Sequence, residues 1–194
     1  MYSFRNDYSE GSHPKVLQAL MDTNLEQTVG YGLDPRCAAA GETIRRICGA
    51  PDADIHFLVG GTQTNLVVME SLLQPYEAVI AAHTAHVNTH ETGAIEATGH
   101  KVCAVRSPNG KLTPALIKAV LSEHNGTEHM VAPRLVYISD TTEVGTIYTK
   151  AELKALRECC DSYGLFLYLD GARLGCALTS PENDLALPDL AALT

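Results

Sequence analysis

Three short segments of this 194-residue chain bring together residue types that can do chemistry. The first is Gly60-Gly61-Thr62-Gln63-Thr64-Asn65. A glycine pair lets backbone come close to a ligand. A hydroxyl residue opening a helix adds a donor beside free amides, the arrangement that holds a phosphate at a helix N-terminus. Neither Gly-x-Gly-x-x-Gly nor a Walker-spaced Lys-Ser/Thr is present, and a tight turn capping a helix would leave the same letters. The second segment is Leu165-Phe166-Leu167-Tyr168-Leu169 running into Asp170-Gly171-Ala172-Arg173. An acid at the carboxyl end of an apolar strand stands where open α/β sheets bind ligands, and it can pair with a protonated pyridine nitrogen. Arg173 offers a fork of donors suited to a carboxylate. A simple Asp-Gly turn closing a strand would read alike. The third is His83-Thr84-Ala85-His86-Val87-Asn88-Thr89-His90-Glu91. If this stretch is helical, His86 and His90 share a face. Zinc wants a third protein ligand that the pattern does not supply. A histidine lying on a flat cofactor, or plain surface histidines, account for it better than a metal-dependent hydrolase.

Helical and strand-forming stretches alternate around these segments. Ser12 is placed to cap a helix with Pro14 in its first turn, running through Val16, Leu17 and Leu20. The pattern predicts a helix over Pro35 to Cys48 stopped by Gly49, a strand over Ile55–Val59, and an apolar helix from the glycine pair to Leu73. Further strands are expected at Ala78–Ala82, Lys101–Val105, Leu135–Ser139 and Leu165–Leu169, with helices at Pro114–His124 and Lys150–Tyr163. Apolar strands spaced by helices imply a mostly parallel sheet covered on both faces, an α/β fold in three layers, α-β-α.

Composition narrows the partners. The formal net charge of -9 disfavours nucleic acid and anionic membrane surfaces. No apolar run is long enough to span a bilayer and the polar opening is not a secretory signal. The six cysteines, Cys37, Cys48, Cys103, Cys159, Cys160 and Cys176, form no C-x-x-C pair, so reduced thiols in a cytoplasmic protein are expected.

Read in order, the motifs resemble those of the threonine aldolase/β-eliminating lyase family of fold type I, aspartate aminotransferase-like pyridoxal-phosphate enzymes. Tyr31-Gly32-Leu33-Asp34-Pro35 matches the family's Y-G-x-D-P. Gly61-Thr62-Gln63-Thr64-Asn65 matches G-T-Q-A-N, and Ala85-His86 with Glu91 matches A-H followed by a Glu. Asp170-Gly171-Ala172-Arg173 matches D-G-A-R, while Asn6-Asp7-Tyr8 matches S-D-T in part. The resemblance implies that Gly61 and Thr62 hold the pyridoxal 5'-phosphate phosphate, His86 stacks on the ring, Asp170 bonds the ring nitrogen, and Arg173 with Asn6 binds the substrate carboxylate. It implies no metal. It further implies retro-aldol cleavage of a β-hydroxy-α-amino acid to glycine and an aldehyde, with His86 as base and His129 as a second candidate.

Two departures matter. The family's E-N-T-H reads Asp140-Thr141-Thr142-Glu143, which opens the alternative of a β-eliminating lyase acting on cysteine or a related amino acid. The Schiff-base lysine, which follows D-G-A-R in the family, is not matched by any lysine of this chain. By this resemblance, residues 1–30 form an arm with the first helix and residues 31–194 an incomplete cofactor-binding large domain, the small C-terminal domain being absent. Such a chain is expected to be inactive alone, or to be a folded fragment that only binds a partner chain. The family's habit of placing active sites between subunits implies a homodimer or tetramer.

Overall fold

The computed structural model describes residues 3–124 and 126–194. Its contacts divide the chain into two units, Met1–Ala40 and Gly41–Thr194. In the first, helix α1 (Pro14–Thr23) starts at a proline, as the sequence indicates. Its cap is His13 and not Ser12: the His13 ring Nδ1 accepts from the Lys15 N–H at 3.2 Å. None of the α1 residues is buried. Helix α2 (Pro35–Cys48) opens under Asp34, whose Oδ1 takes the Arg36 and Cys37 N–H groups at 2.9 Å each. It closes at Gly49, where φ is +62°, the left-handed turn that glycine adopts without penalty.

The second unit carries the sheet. Helix α3 (Gly61–Leu72) leads to strand β1 (Glu77–Ala82), followed by the short helices α4 (His86–Thr89) and α5 (Ala94–Ala97). Then come β2 (Lys101–Val105), α6 (Pro114–Glu123), β3 (Ala132–Ser139), α7 (Lys150–Tyr163), β4 (Phe166–Asp170), α8 (Leu174–Thr179) and α9 (Leu187–Leu193). Helix α7 has the strongest local signals. Thr149 and Glu152 form a reciprocal capping box at its start, and Gly164 turns left-handed at its end.

All four strands are parallel, in the order β2-β1-β3-β4. Strand alternation sorts the core into two layers. Ala78, Ile80 and Ala82 of β1 join Val136 and Ile138 of β3 against Ile117 and Val120 of α6 and Leu153 and Leu156 of α7. Val79 and Ala81 face the other way with Leu135 and Tyr137, against Met69 of α3, Leu73 just after it, and Val87 and Ile95 of α4 and α5. The fold is therefore the expected three-layer α/β arrangement around a parallel sheet. Among the described residues, no helix is long and apolar enough to cross a membrane.

One expected element is absent. Ile55–Val59 is irregular, with Phe57, Leu58 and Val59 exposed. A run of strand-forming residues makes a strand only when a neighbour completes its ladder, and no strand pairs with this one among the described residues. The chain enters α3 through Gly60 in extended conformation, φ -172° and ψ 162°, without a sheet behind it.

Order matters for function. After β2 the chain crosses to the other side of β1, so the direction of winding changes between β1 and β3. At such a switch point the loops leaving the two strand ends part and open a crevice. The loop leaving β1 carries His86, the loop leaving β3 carries Glu143, and the adjacent β4 ends on Asp170.

Candidate functional site

At the carboxyl ends of β1, β3 and β4 the side chains form one hydrogen-bonded chain. Asn65, one turn into α3 and buried, uses both its amide protons there. One goes to Glu91 Oε1 at 2.6 Å and the other to Asp170 Oδ2 at 3.2 Å. Its Oδ1 accepts from the Tyr168 hydroxyl at 2.7 Å. Asp170 Oδ2 also accepts from the Tyr137 hydroxyl at 2.7 Å, and Oδ1 takes the Ala172 N–H at 2.9 Å. Burial, with Asp170 close by, pushes both phenols up, so they remain proton donors.

His86 is gripped at two points. Its ring Nδ1 lies 2.8 Å from Glu91 Oε1, and its backbone N–H donates to Glu143 Oε1 at 2.9 Å. Glu143 is held in turn by Ser139, whose hydroxyl donates to the same oxygen at 2.6 Å. Ser139 Oγ and Tyr137 Oη approach to 3.5 Å, but each gives its one proton to a closer carboxylate, so this is a contact and not a bond. His90 caps the end of α4, its ring 5.6 Å from that of His86. No group of three or more metal-ligating side chains occurs among the described residues.

The start of α3 supplies the anion side. The free amides of a first helical turn carry partial positive charge. At Gly60 and Gly61 an added Cβ would meet nothing within 4 Å, so the backbone there is open to a ligand. Since Asn65 touches Asp170, this opening lies about one helical turn from the acid at the end of β4. Arg173 sits half-buried at the start of α8, three residues beyond Asp170.

Gly61, Thr62, His86, Asp170 and Arg173 of the second unit thus fall at one end of the sheet. Asn6 belongs to the first unit, where its Oδ1 accepts from Tyr8 N–H at 3.2 Å and Ser9 Oγ at 2.6 Å. His129 precedes the amino end of β3 and so lies at the opposite end of that eight-residue strand from Ser139. Tyr137, Tyr168, Ser139 and the grip of Glu143 on His86 were not foreseen. The tyrosines read as core, and only a serine and an acid close behind the apolar run of β3 hinted at polar work there.

Glu143 is kept in place by the loop after β2. Thr146 Oγ1 donates to the Asn109 carbonyl at 2.7 Å, and Gly110, at φ +74°, packs beneath Thr142 and Val144. A Cβ on Gly110 would come within 2.9 Å of Val144 Cγ2 and 3.2 Å of Thr142 Oγ1. G110A is expected to destabilise the protein by about 1–3 kcal/mol, from left-handed strain plus displacement of the 142–146 loop. A urea midpoint equal to the parent's would show that this packing is loose.

Beside the same loop, Asp140 is buried with its Oδ1 unpartnered among the described residues, and its carboxyl is pushed up to about 6 by burial, against the Tyr148 N–H and Lys111, which favour the charge. A folded-state value above the unfolded one means the folded protein holds the proton more tightly. Stability from this group is full below about pH 4 and is lost as pH rises through 6. D140N is expected to be more stable than the parent by about 1–2 kcal/mol at pH 7, with the difference vanishing near pH 4. Urea unfolding at the two pH values measures it; a difference independent of pH would assign the effect to packing.

Comparison with known proteins agrees with this geometry. The sequence model of the beta-eliminating lyase family matches residues 4–186. The chain is 38% identical over 176 residues to a low specificity L-threonine aldolase of a Pseudomonas species, covering 90% of this chain and 50% of that protein. It is 36% identical to the low specificity L-threonine aldolase of Pseudomonas aeruginosa, covering 90% and 52%. The chain thus spans about half the length of the curated relatives it matches. Among solved structures, the threonine aldolase of Leishmania major superposes with a TM-score of 0.98 at 56% identity, over 100% of this chain and 56% of that one. A putative L-allo-threonine aldolase of Listeria monocytogenes, 22% identical with a TM-score of 0.68 over 94% of this chain and 50% of that one, shares the fold. With the family's pattern running through the helix start, the His86 loop and the end of β4 alike, the chain belongs to the beta-eliminating lyase family.

Proposed function

We propose that this chain is the cofactor-binding part of a pyridoxal-phosphate-dependent lyase that cleaves β-hydroxy-α-amino acids to glycine and an aldehyde. The observation that carries this reading is the joining of Asp170 to His86 through Asn65 and Glu91, beside the open start of α3. The donor set fits the cofactor. A carboxylate at a strand end suits a protonated ring nitrogen, the Gly61 and Thr62 amides suit a phosphate, and the half-exposed His86 ring offers a flat face. When bound, the cofactor supplies an electron sink for the bond broken at Cα.

The chain's own residues do the rest. Asp170 keeps the ring nitrogen charged. Arg173 binds the carboxylate of the amino acid, and His86 takes the β-hydroxyl proton. Residues 1–30 make up an arm with the first helix, and residues 31–194 the cofactor-binding domain. The family's pattern places the linking lysine after Asp170-Gly171-Ala172-Arg173, and none of this chain's six lysines stands there; Lys111 is committed to Glu152 at 2.6 Å and Lys150 to Asp189 at 2.6 Å. A homodimer or tetramer in the cytoplasm, where its six free thiols stay reduced, is the setting we infer.

The test is to titrate the full-length protein with pyridoxal phosphate and then supply threonine or cysteine. A visible absorbance band, borohydride trapping on a lysine outside residues 1–194, and release of acetaldehyde from threonine are expected. No absorbance change, or trapping on one of this chain's lysines, would overturn the reading. Pyruvate from cysteine without cleavage of threonine would move the chemistry to β-elimination.

A further inference from the structure

Glu91 is buried, its side chain fully shielded from solvent, yet it lies next to a histidine whose side chain is 40% exposed. One oxygen, Oε1, carries both of its bonds, from Asn65 Nδ2 at 2.6 Å and to the His86 ring at 2.8 Å; Oε2 has no partner among the described residues. A buried carboxylate is expensive to keep in a fold, and packing does not explain this one, since a residue of the same shape without charge would fill the space.

Its neighbours define what it can do. An ionised carboxylate only accepts hydrogen bonds, so the nitrogen facing it must carry a proton. In a neutral imidazole one nitrogen donates and the other accepts. A neutral His86 ring facing an ionised Glu91 would then carry its proton on Nδ1, with the lone pair on Nε2, the nitrogen turned away from Glu91. The backbone N–H of the same residue is fixed by Glu143, so the ring can neither slide along the chain nor flip without losing a bond.

We propose that Glu91 is the positioning residue that sets the tautomer of His86, leaving Nε2 as the proton acceptor, and that through Asn65 it fixes this acceptor relative to Asp170. The assignment rests on the lyase reading for its meaning, because the proton that Nε2 takes is then that of the substrate β-hydroxyl. It stands on geometry for its content. Orientation of a histidine by a buried carboxylate on its second nitrogen is the same physical device that sets the base in hydrolase triads and the ligating nitrogen in metal sites. Here the carboxylate is also linked through Asn65 to Asp170, the group that would face the cofactor nitrogen, so one side chain ties the base to that carboxylate.

Two variants and two readouts test it. In the cofactor-free full-length protein, nitrogen-detected NMR of the histidine rings is expected to show His86 as Nδ1–H in the parent and in E91Q, whose amide oxygen can still accept. E91L should show the Nε2–H form or a mixture of the two. In the loaded enzyme, E91L should keep the cofactor absorbance and lower kcat about 10–100-fold, with KM for the amino acid changed less than about threefold. E91Q should fall between E91L and the parent. An Nε2–H ring in the parent, or an unaltered ring and kcat in E91L, would overturn the assignment. The NMR result is independent of turnover. A protein that binds no cofactor but switches tautomer in E91L would sink the lyase reading and leave the positioning role standing.

Discussion

D170N is expected to lower kcat by at least about 10³-fold while leaving the cofactor absorbance in place. The substitution changes no shape. Its amide oxygen can still accept from Tyr137, whose hydroxyl lies 2.7 Å from the present Oδ2, and the fold should lose little more than about 1 kcal/mol from the one bond that then lacks an acceptor. What disappears is the charge. A ring nitrogen stays protonated near neutral pH only if a negative group faces it in a site partly shielded from water, where one charge shifts such an equilibrium by several units. Asp170 is half-buried at the end of β4, where the Tyr137 phenol and the Asn65 amide donate to its Oδ2 and the Tyr168 phenol steadies that amide. These hold the carboxylate in one orientation and, being neutral, leave its charge uncompensated for a cation to use. A phosphate held at the start of α3, as proposed, would not depend on this charge, so loss of turnover with retained absorbance is the signature. Turnover within tenfold of the parent would mean that Asp170 faces no cation, and an unfolded variant would be recognised by its denaturation midpoint.

How much of this was legible beforehand depends on the range of the interaction. Helices α2 and α7 could be placed to the residue because their boundaries are written locally, in Pro35 and Gly49 and in the Thr149–Glu152 box with Gly164. The four strands could be read because burial on both faces demands unbroken apolar runs. Ile55–Val59 satisfied the same composition and is no strand, since pairing is settled by neighbours and not by the run itself. The motif residues Gly61, His86 and Asp170 could be selected by type, but what joins them could not. Asn65 reaches Asp170 across 105 positions and Tyr137 reaches it across 33. Both links exist only because β3 lies beside β4 and α3 covers the face to which Tyr137 points. Glu143 shows the limit most plainly. As a letter it was a departure from a familiar motif; in space it is the group that holds the His86 backbone.

N65L is expected to be the most damaging single change to stability at this site, by about 3–5 kcal/mol. The side chains share branching and heavy-atom count, leucine being the bulkier, and the position is buried at 2% exposure, so no cavity is made. The cost is electrostatic. Glu91 would keep only the His86 ring as donor, with Oε2 already without a partner, and Asp170 and Tyr168 would each lose a bond. A buried carboxylate stripped of a donor must either remain charged in an apolar surrounding or take up a proton, and both oppose folding near neutral pH. For a protein of this size the loss corresponds to a fall in Tm of roughly 6–20 °C. The double variant N65L/E91L separates this cause from simple misfit. With the charge removed as well, the leucine side chains can pack together, and stability should return to within about 2 kcal/mol of the parent. If N65L alone is as stable as the parent, Glu91 is already protonated in the native fold. If the double variant is no better than the single one, the penalty comes from shape. The first outcome would also leave Glu91 without the charge needed to hold a proton on His86 Nδ1, so this pair of stability measurements bears on the chemistry as directly as a rate does.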